Sequence, residues 1–184
     1  MIAFAEFNSL LRPTCQDALG TRPHTGVKLL VVLEGQHDVT FFHGISRILH
    51  TADATLPDLG ALARAGVIVI LPVGGGDVLA WAARMAALGV PEFHLFDREV
   101  SPATERRQKA IEIVNQRSNC RGYLTQKRAL ENYLHPHAVE EVSGIELGFG
   151  DDDDVADLVA RLLRAASPRT CLESIARAGS KTVS

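Results

Sequence analysis

Apolar positions along the chain fall into short continuous runs separated by stretches with helical spacing. The runs are 27–33, 67–71, 92–96 and 122–125, and their length is typical of buried strands. Between the runs, apolar residues recur every three or four positions, which predicts amphipathic helices. Two predicted helices span 37–50 and 78–88, and a short helical turn is predicted at 129–134. Another predicted helix starts near Pro102 and buries Ala110, Ile111 and Val114. Four strands alternating with helices predict an α/β fold with a parallel sheet of about four strands, flanked by helices on both faces.

Further helices are predicted at both ends of the chain. Residues 3–18 carry apolar side chains at near-helical spacing, and 155–166 and 171–178 are Ala-rich and helical in pattern. We therefore expect an N-terminal helical extension (1–26), a central α/β domain (27–140) and a C-terminal helical segment (141–184). The apolar N-terminal segment suits two roles, as a cover for the core or as a homodimer face, and both stay open.

Composition predicts a cytoplasmic protein without a membrane partner. No run approaches the roughly 18 uninterrupted apolar residues that a membrane helix requires, and the N-terminus lacks the basic start of a signal peptide. The three cysteines are far apart in sequence. They predict neither a disulfide framework nor a structural zinc site.

The net charge of −3 averages two regions of opposite sign. Residues 101–130 contain seven basic and two acidic side chains, whereas 140–160 contain eight acidic and no basic ones. A basic face beside an acidic metal site would suit a polyanionic substrate such as nucleic acid. The alternative interpretation, which charge alone favours, is that both stretches are solvated helix faces and loops.

Acidic residues follow the first and third strand-like runs. Glu34 comes directly after the first run, and Asp97 and Glu99 come after the third. Ligands bind at the carboxyl ends of the strands in an open parallel sheet, and gathered carboxylates suit Mg²⁺ or Mn²⁺. The sequence therefore predicts a divalent-metal site. Asp38 would either cap the following helix or reach a second metal ion, and both alternatives stay open.

Three segments, 30–38, 73–77 and 93–99, resemble in order the motifs of the TOPRIM domain shared by topoisomerases, primases and certain nucleases. A fourth segment, Arg-Ala-Leu-Glu-Asn-Tyr-Leu at 128–134, is similar to the Arg-x-Leu-Glu-Asn-Tyr stretch of OLD-family (overcoming lysogenization defect) nucleases. The resemblance spans about 27–140 and implies a TOPRIM, Rossmann-like sheet. It also implies a Mg²⁺- or Mn²⁺-dependent DNA endonuclease or nickase of a phage-defence or DNA-processing system.

The resemblance assigns roles to residues of this chain. The implied catalytic residues are Glu34, Asp97, Glu99 and Lys127, the last as a stabiliser of the transition state. The implied ligands for one or two metal ions are Glu34, Asp38, Asp97, Glu99 and Glu131. The basic stretch supplies the residues expected to bind nucleic acid, namely Arg106, Arg107, Lys109, Arg121, Lys127 and Arg128.

The chain departs from the family in two respects. Asp-Arg-Glu stands at 97–99 where the family usually has Asp-x-Asp, and the ATPase half of OLD proteins has no counterpart in this sequence. If the sequence is complete, we expect a free-standing TOPRIM protein with a separately encoded ATPase or sensor protein as partner. Two other functions remain as alternatives: a catalytically weak TOPRIM module that binds nucleic acid or scaffolds that partner, and a domain that binds a small phosphorylated ligand.

Overall fold

Four parallel strands form the central sheet in a computed structural model that describes residues 26–74 and 77–166. The strands are β1 (Leu29–Leu33), β2 (Ile68–Pro72), β3 (Glu92–Phe96) and β4 (Cys120–Leu124). Their order in the sheet is β2-β1-β3-β4, and each neighbouring pair is parallel. The predicted α/β class, with a parallel sheet of about four strands, is confirmed. The fourth strand starts at Cys120, two residues before its predicted start.

Helices cover both faces of the sheet. They are α1 (Gln36–Ala52), α2 (Leu59–Arg64), α3 (Val78–Met85) and α4 (Ala103–Asn115). Alternate residues of a strand point to opposite faces, and two separate apolar clusters result. One cluster packs Leu29, Val31 and Leu33 against α1 and α2, and the other packs Val32 and Phe96 against α3 and α4.

Contacts divide the chain into two units, with the division between Gln126 and Lys127. The described part of the second unit contains a 3₁₀ turn (Leu130–Tyr133), α5 (Pro136–Ser143) and α6 (Val155–Ala166). The 3₁₀ turn and α6 agree with the predicted helical segments, whereas α2 and α5 were not predicted. The predicted helices at 3–18 and 171–178 lie outside the described residues, and the predicted domain bounds remain predictions.

None of the helices in the described ranges combines the length and the apolar character that crossing a membrane would require.

A buried ionic network lies on the α4 side of β3. Glu92 is only 1% exposed and accepts hydrogen bonds on both carboxylate oxygens from the Arg117 guanidinium, each at 2.7 Å. The fully buried His94 donates from Nε2 to Glu92 Oε2 at 2.7 Å. Burial alone would raise the pKa of Glu92, but the hydrogen bonds from His94 and Arg117 outweigh burial and lower it. His94 is thus bound to a structural carboxylate.

Candidate functional site

The sheet has a topological switch point between β1 and β3. The chain passes from β1 to β2 on one side of the sheet, and β3 then lies on the other side of β1. Crevices at such points, at the carboxyl ends of the strands, are where open α/β sheets bind ligands. Glu34 follows β1 directly and Asp97 follows β3 directly. The two acids therefore stand on either side of the position at which this fold places ligands.

Hydrogen bonds from the backbone N–H groups of Asp97 and Gly74 hold Glu34 in place. The Asp97 N–H donates to Glu34 Oε1 at 3.1 Å, although the residues are 63 positions apart in sequence. The Gly74 N–H donates to the Glu34 carbonyl at 2.7 Å. Gly74 has φ +79°, a conformation that residues with a Cβ rarely adopt. The glycine after β2 thereby helps to fix the backbone at Glu34.

The loop after β3 is held in an unusual conformation at Glu99. Glu99 has φ +55°, which is uncommon for a residue other than glycine. The Arg98 N–H donates to Thr125 Oγ1 at 2.9 Å, and the Thr125 N–H donates to the Phe96 carbonyl at 3.0 Å. Thr104 Oγ1 adds a hydrogen bond to the Glu99 carbonyl at 3.3 Å. Non-glycine residues with such strained backbones are concentrated at functional sites.

The guanidinium of Arg107 occupies both carboxylate oxygens of Glu34. Arg107 Nε donates to Oε1 at 2.5 Å and Nη2 donates to Oε2 at 2.7 Å. The two side chains are 12% and 11% exposed. A bidentate, charge-assisted pair of this kind is among the stronger polar contacts in proteins. Glu34 is therefore held by a cation that belongs to the protein itself.

Arg107 lies in the electric field of all three predicted acids. Hydrogen bonding to Glu34 raises the pKa of Arg107, and the negative charges of Glu34, Glu99 and Asp97 raise it further. We call Glu34, Asp97 and Glu99 the acidic cluster. The guanidinium of Arg107 thus lies close to three acidic side chains at the carboxyl edge of the sheet.

The donor set suits a divalent metal in chemistry but is not arranged to hold one. Carboxylate oxygens at a sheet edge are ligands that Mg²⁺ and Mn²⁺ prefer. Across residues 26–74 and 77–166, however, no three His, Cys, Asp or Glu side chains form a group that could hold a metal ion. The oxygens of Glu34 face Arg107 instead. Metal binding at this edge would require the side chains to rearrange.

Asp38 caps the start of α1. Its Oδ2 accepts a hydrogen bond from the Gly35 N–H at 2.8 Å. This contact agrees with the capping alternative, and the metal alternative for Asp38 stays a prediction. A carboxylate in the first turn also interacts favourably with the helix dipole.

Three predicted site residues, Lys127, Arg128 and Glu131, belong to the second unit. Within that unit Lys127 Nζ donates to the Asn132 carbonyl at 2.7 Å and pairs with Asp151 Oδ1 at 2.9 Å. Arg128 Nη2 pairs with Asp154 Oδ2 at 2.8 Å. Glu131 is half-buried on the 3₁₀ turn. The two basic residues are thus partners of Asp151 and Asp154, which belong to the acidic stretch at 140–160.

The remaining predicted nucleic-acid contacts divide by exposure. Arg106 and Lys109 are exposed on α4, and Arg121 is exposed on β4. Arg107, by contrast, faces inward, because it precedes the buried Ala110 and Ile111 by three and four residues on the same face of the helix. The spacing from Arg107 to Ala110 and Ile111 was the signal in the sequence that this arginine faces inward. The predicted nucleic-acid contact rested on charge alone.

The candidate site is defined by the position, the charge and the contacts of four side chains. Glu34 and Asp97 meet at the switch point, Glu99 adds a strained acid, and Arg107 binds Glu34. Comparison of the chain with family models, with curated proteins and with solved structures found no match.

Proposed function

We propose that the protein is a DNA endonuclease or nickase that hydrolyses phosphodiester bonds with the help of Mg²⁺ or Mn²⁺, as the TOPRIM and OLD-family nucleases that it resembles do. The meeting of Glu34 and Asp97 at the switch point of a parallel sheet is the observation that carries this proposal. Divalent ions at acidic sites of this kind activate water and stabilise the leaving oxygen of an in-line displacement.

The surface charge of α4 supports a polyanionic substrate. Arg106 and Lys109 are exposed on the same helix that carries Arg107. Cations on the outside of α4 can contact phosphates, which gives affinity and orientation without reading base sequence. A polymer with regularly spaced phosphates uses several such contacts, whereas a small phosphorylated ligand uses few. The exposed cations of α4 therefore favour DNA over a small ligand.

Metal dependence of plasmid cleavage tests the proposed function directly. We expect purified protein to nick supercoiled plasmid with Mg²⁺ or Mn²⁺ and to leave it intact with EDTA. The conversion of supercoiled to open-circular DNA on a gel measures the reaction. Cleavage that persists in EDTA would contradict the proposal. Absence of cleavage by folded protein, with Mg²⁺ and also with Mn²⁺, would contradict it as well.

Removing the exposed cations of α4 is expected to weaken DNA binding and to make the binding constant less dependent on salt concentration. An Arg106→Gln/Lys109→Gln variant loses two phosphate contacts, so the slope of log K against log salt should become shallower by about 2. Fluorescence anisotropy of a labelled duplex at several salt concentrations measures this slope. Arg47→Gln, which removes an exposed cation from α1, is the matched control and should leave the slope unchanged. An unchanged slope in the double variant would argue against this surface.

The second candidate function is a nucleic-acid-binding module without catalysis. It is favoured by one observation, the engagement of Glu34 by Arg107 in place of a metal-ligating arrangement. Such a module would bind DNA with the salt dependence expected of phosphate contacts. It would not cleave DNA, whichever metal is added. The plasmid assay and the anisotropy measurement together separate the two functions.

A further inference from the structure

Arg107 holds Glu34 in a way that competes with any bound cation. Both Glu34 oxygens accept hydrogen bonds from one guanidinium, at 2.5 and 2.7 Å, and Oε1 also accepts the Asp97 N–H at 3.1 Å. A divalent ion coordinated by the same carboxylate would lie within a few ångströms of the guanidinium. Two cations at that separation repel each other strongly at a partly buried site. The guanidinium and a divalent ion therefore compete for the Glu34 carboxylate.

We infer that Arg107 is the resident counter-cation of the acidic cluster, and that a divalent ion binds there only when Arg107 releases Glu34. The inference rests on the proposed function in taking a divalent ion as the ligand. Arg107 is a positioning residue in this scheme: without metal it holds the Glu34 carboxylate in place and offsets the repulsion among three acids. Its release exposes the carboxylate oxygens that a metal ion would use.

The position of Arg107 on α4 is compatible with such an exchange. The residue lies in the second turn of α4, which begins at Ala103, near the loop that carries Asp97 and Glu99. Its side chain is long and flexible, and 12% of it already reaches solvent. The inner anchor of the helix is instead the apolar set of Ala110, Ile111 and Val114. The guanidinium can therefore move without removing α4 from the sheet.

Metal affinity after removal of the arginine charge tests this inference. Arg107→Met keeps an apolar stem and deletes the competing cation, so we expect Mn²⁺ to bind at least about tenfold more tightly than it binds to the wild-type protein. Electron paramagnetic resonance of free Mn²⁺ measures the affinity without any cleavage reaction. Arg47→Met, which removes an exposed arginine from α1, is the matched control and should bind Mn²⁺ as the wild type does.

The possible outcomes separate this inference from the proposed function. Mn²⁺ binding by Arg107→Met that is equal to or weaker than wild-type binding overturns the inference and leaves a metal-dependent nuclease standing. Mn²⁺ binding by neither protein overturns both. Tighter binding by Arg107→Met alone supports the exchange.

A measurement on the wild-type protein covers the case in which Arg107→Met does not fold. Nuclear magnetic resonance of the arginine Nε–H groups, with Arg107 assigned through Arg107→Lys, follows the hydrogen bond to Glu34 during a Mg²⁺ titration. We expect the Arg107 Nε–H signal to shift and to exchange faster with solvent as Mg²⁺ binds. A signal that stays unchanged at saturating Mg²⁺, or no saturable Mg²⁺ response anywhere in the protein, overturns the inference.

Discussion

Replacement of Asp97 by asparagine is expected to reduce metal-dependent plasmid cleavage by at least about 100-fold. Mutation of a residue that only hydrogen-bonds to a metal ligand already costs about 10- to 100-fold in metal affinity or activity. Asp97 is proposed as a metal ligand itself, so its loss should cost more. Asparagine has nearly the same shape, and the backbone N–H of residue 97 that donates to Glu34 is retained. The variant therefore removes one negative charge from the acidic cluster with little change to the strand exit.

A matched control separates loss of the site from loss of the fold. Glu112→Gln removes an exposed carboxylate from the outer face of α4 and should cleave plasmid as the wild type does. Initial rates of nicking at saturating Mg²⁺, with circular dichroism to verify folding, measure the effect. Wild-type nicking by folded Asp97→Asn would show that the acidic cluster is not the catalytic site, even if the protein is a nuclease.

The position of the acids was predictable because it depends on local pattern. A continuous apolar run predicts a buried strand, and the residue after the run lies at the edge of the sheet. Strand ends therefore placed Glu34 and Asp97 at the carboxyl edge of the sheet without any long-range information. Their direct contact also required β1 and β3 to be neighbours, a pairing that comes from sheet order and not from either strand alone.

The cation bound to Glu34 was not predicted, because charge composition does not show which way a side chain faces. Arg107 stands in a run of basic residues, and the run as a whole suggested a surface for nucleic acid. Its helical phase relative to Ala110 and Ile111 pointed inward instead. Its partner Glu34 is 73 residues away in sequence, so only the tertiary fold could identify the pair.

The two helices missing from the prediction each had a local signal of a kind that is easily misread. α2 contains only six residues, fewer than two turns, so its apolar spacing could not establish a period. Its signal was Asp58, whose carboxylate accepts the Ala61 N–H at 2.9 Å as a helix cap. The signal for α5 was Pro136, which occupies the first turn of that helix, where proline is well tolerated.

Replacement of Glu92 by glutamine is expected to destabilise the first unit by about 3 kcal/mol at neutral pH, because removing one partner of a buried ion pair leaves the other charge uncompensated. Arg117 is 21% exposed and donates to both carboxylate oxygens of Glu92, while His94 is fully buried. The glutamine amide presents a donor where Glu92 presented a second acceptor, so it cannot satisfy both neighbours. Urea denaturation followed by the fluorescence of Trp81, the single tryptophan, measures the loss.

The same substitution is expected to change the dependence of stability on pH. The pKa of Glu92 is lower in the folded protein than its ordinary value of 4.5, so its contribution is complete above about pH 4.5 and is lost as pH falls through the folded pKa. The stability difference between wild type and Glu92→Gln should therefore narrow as pH falls from 5 to 3. Glu112→Gln, an exposed change, should stay within about 0.5 kcal/mol of wild type at pH 7. A constant difference across this range would mean that the cost comes from packing, because protonation of Glu92 in acid removes the part of the difference that depends on its charge.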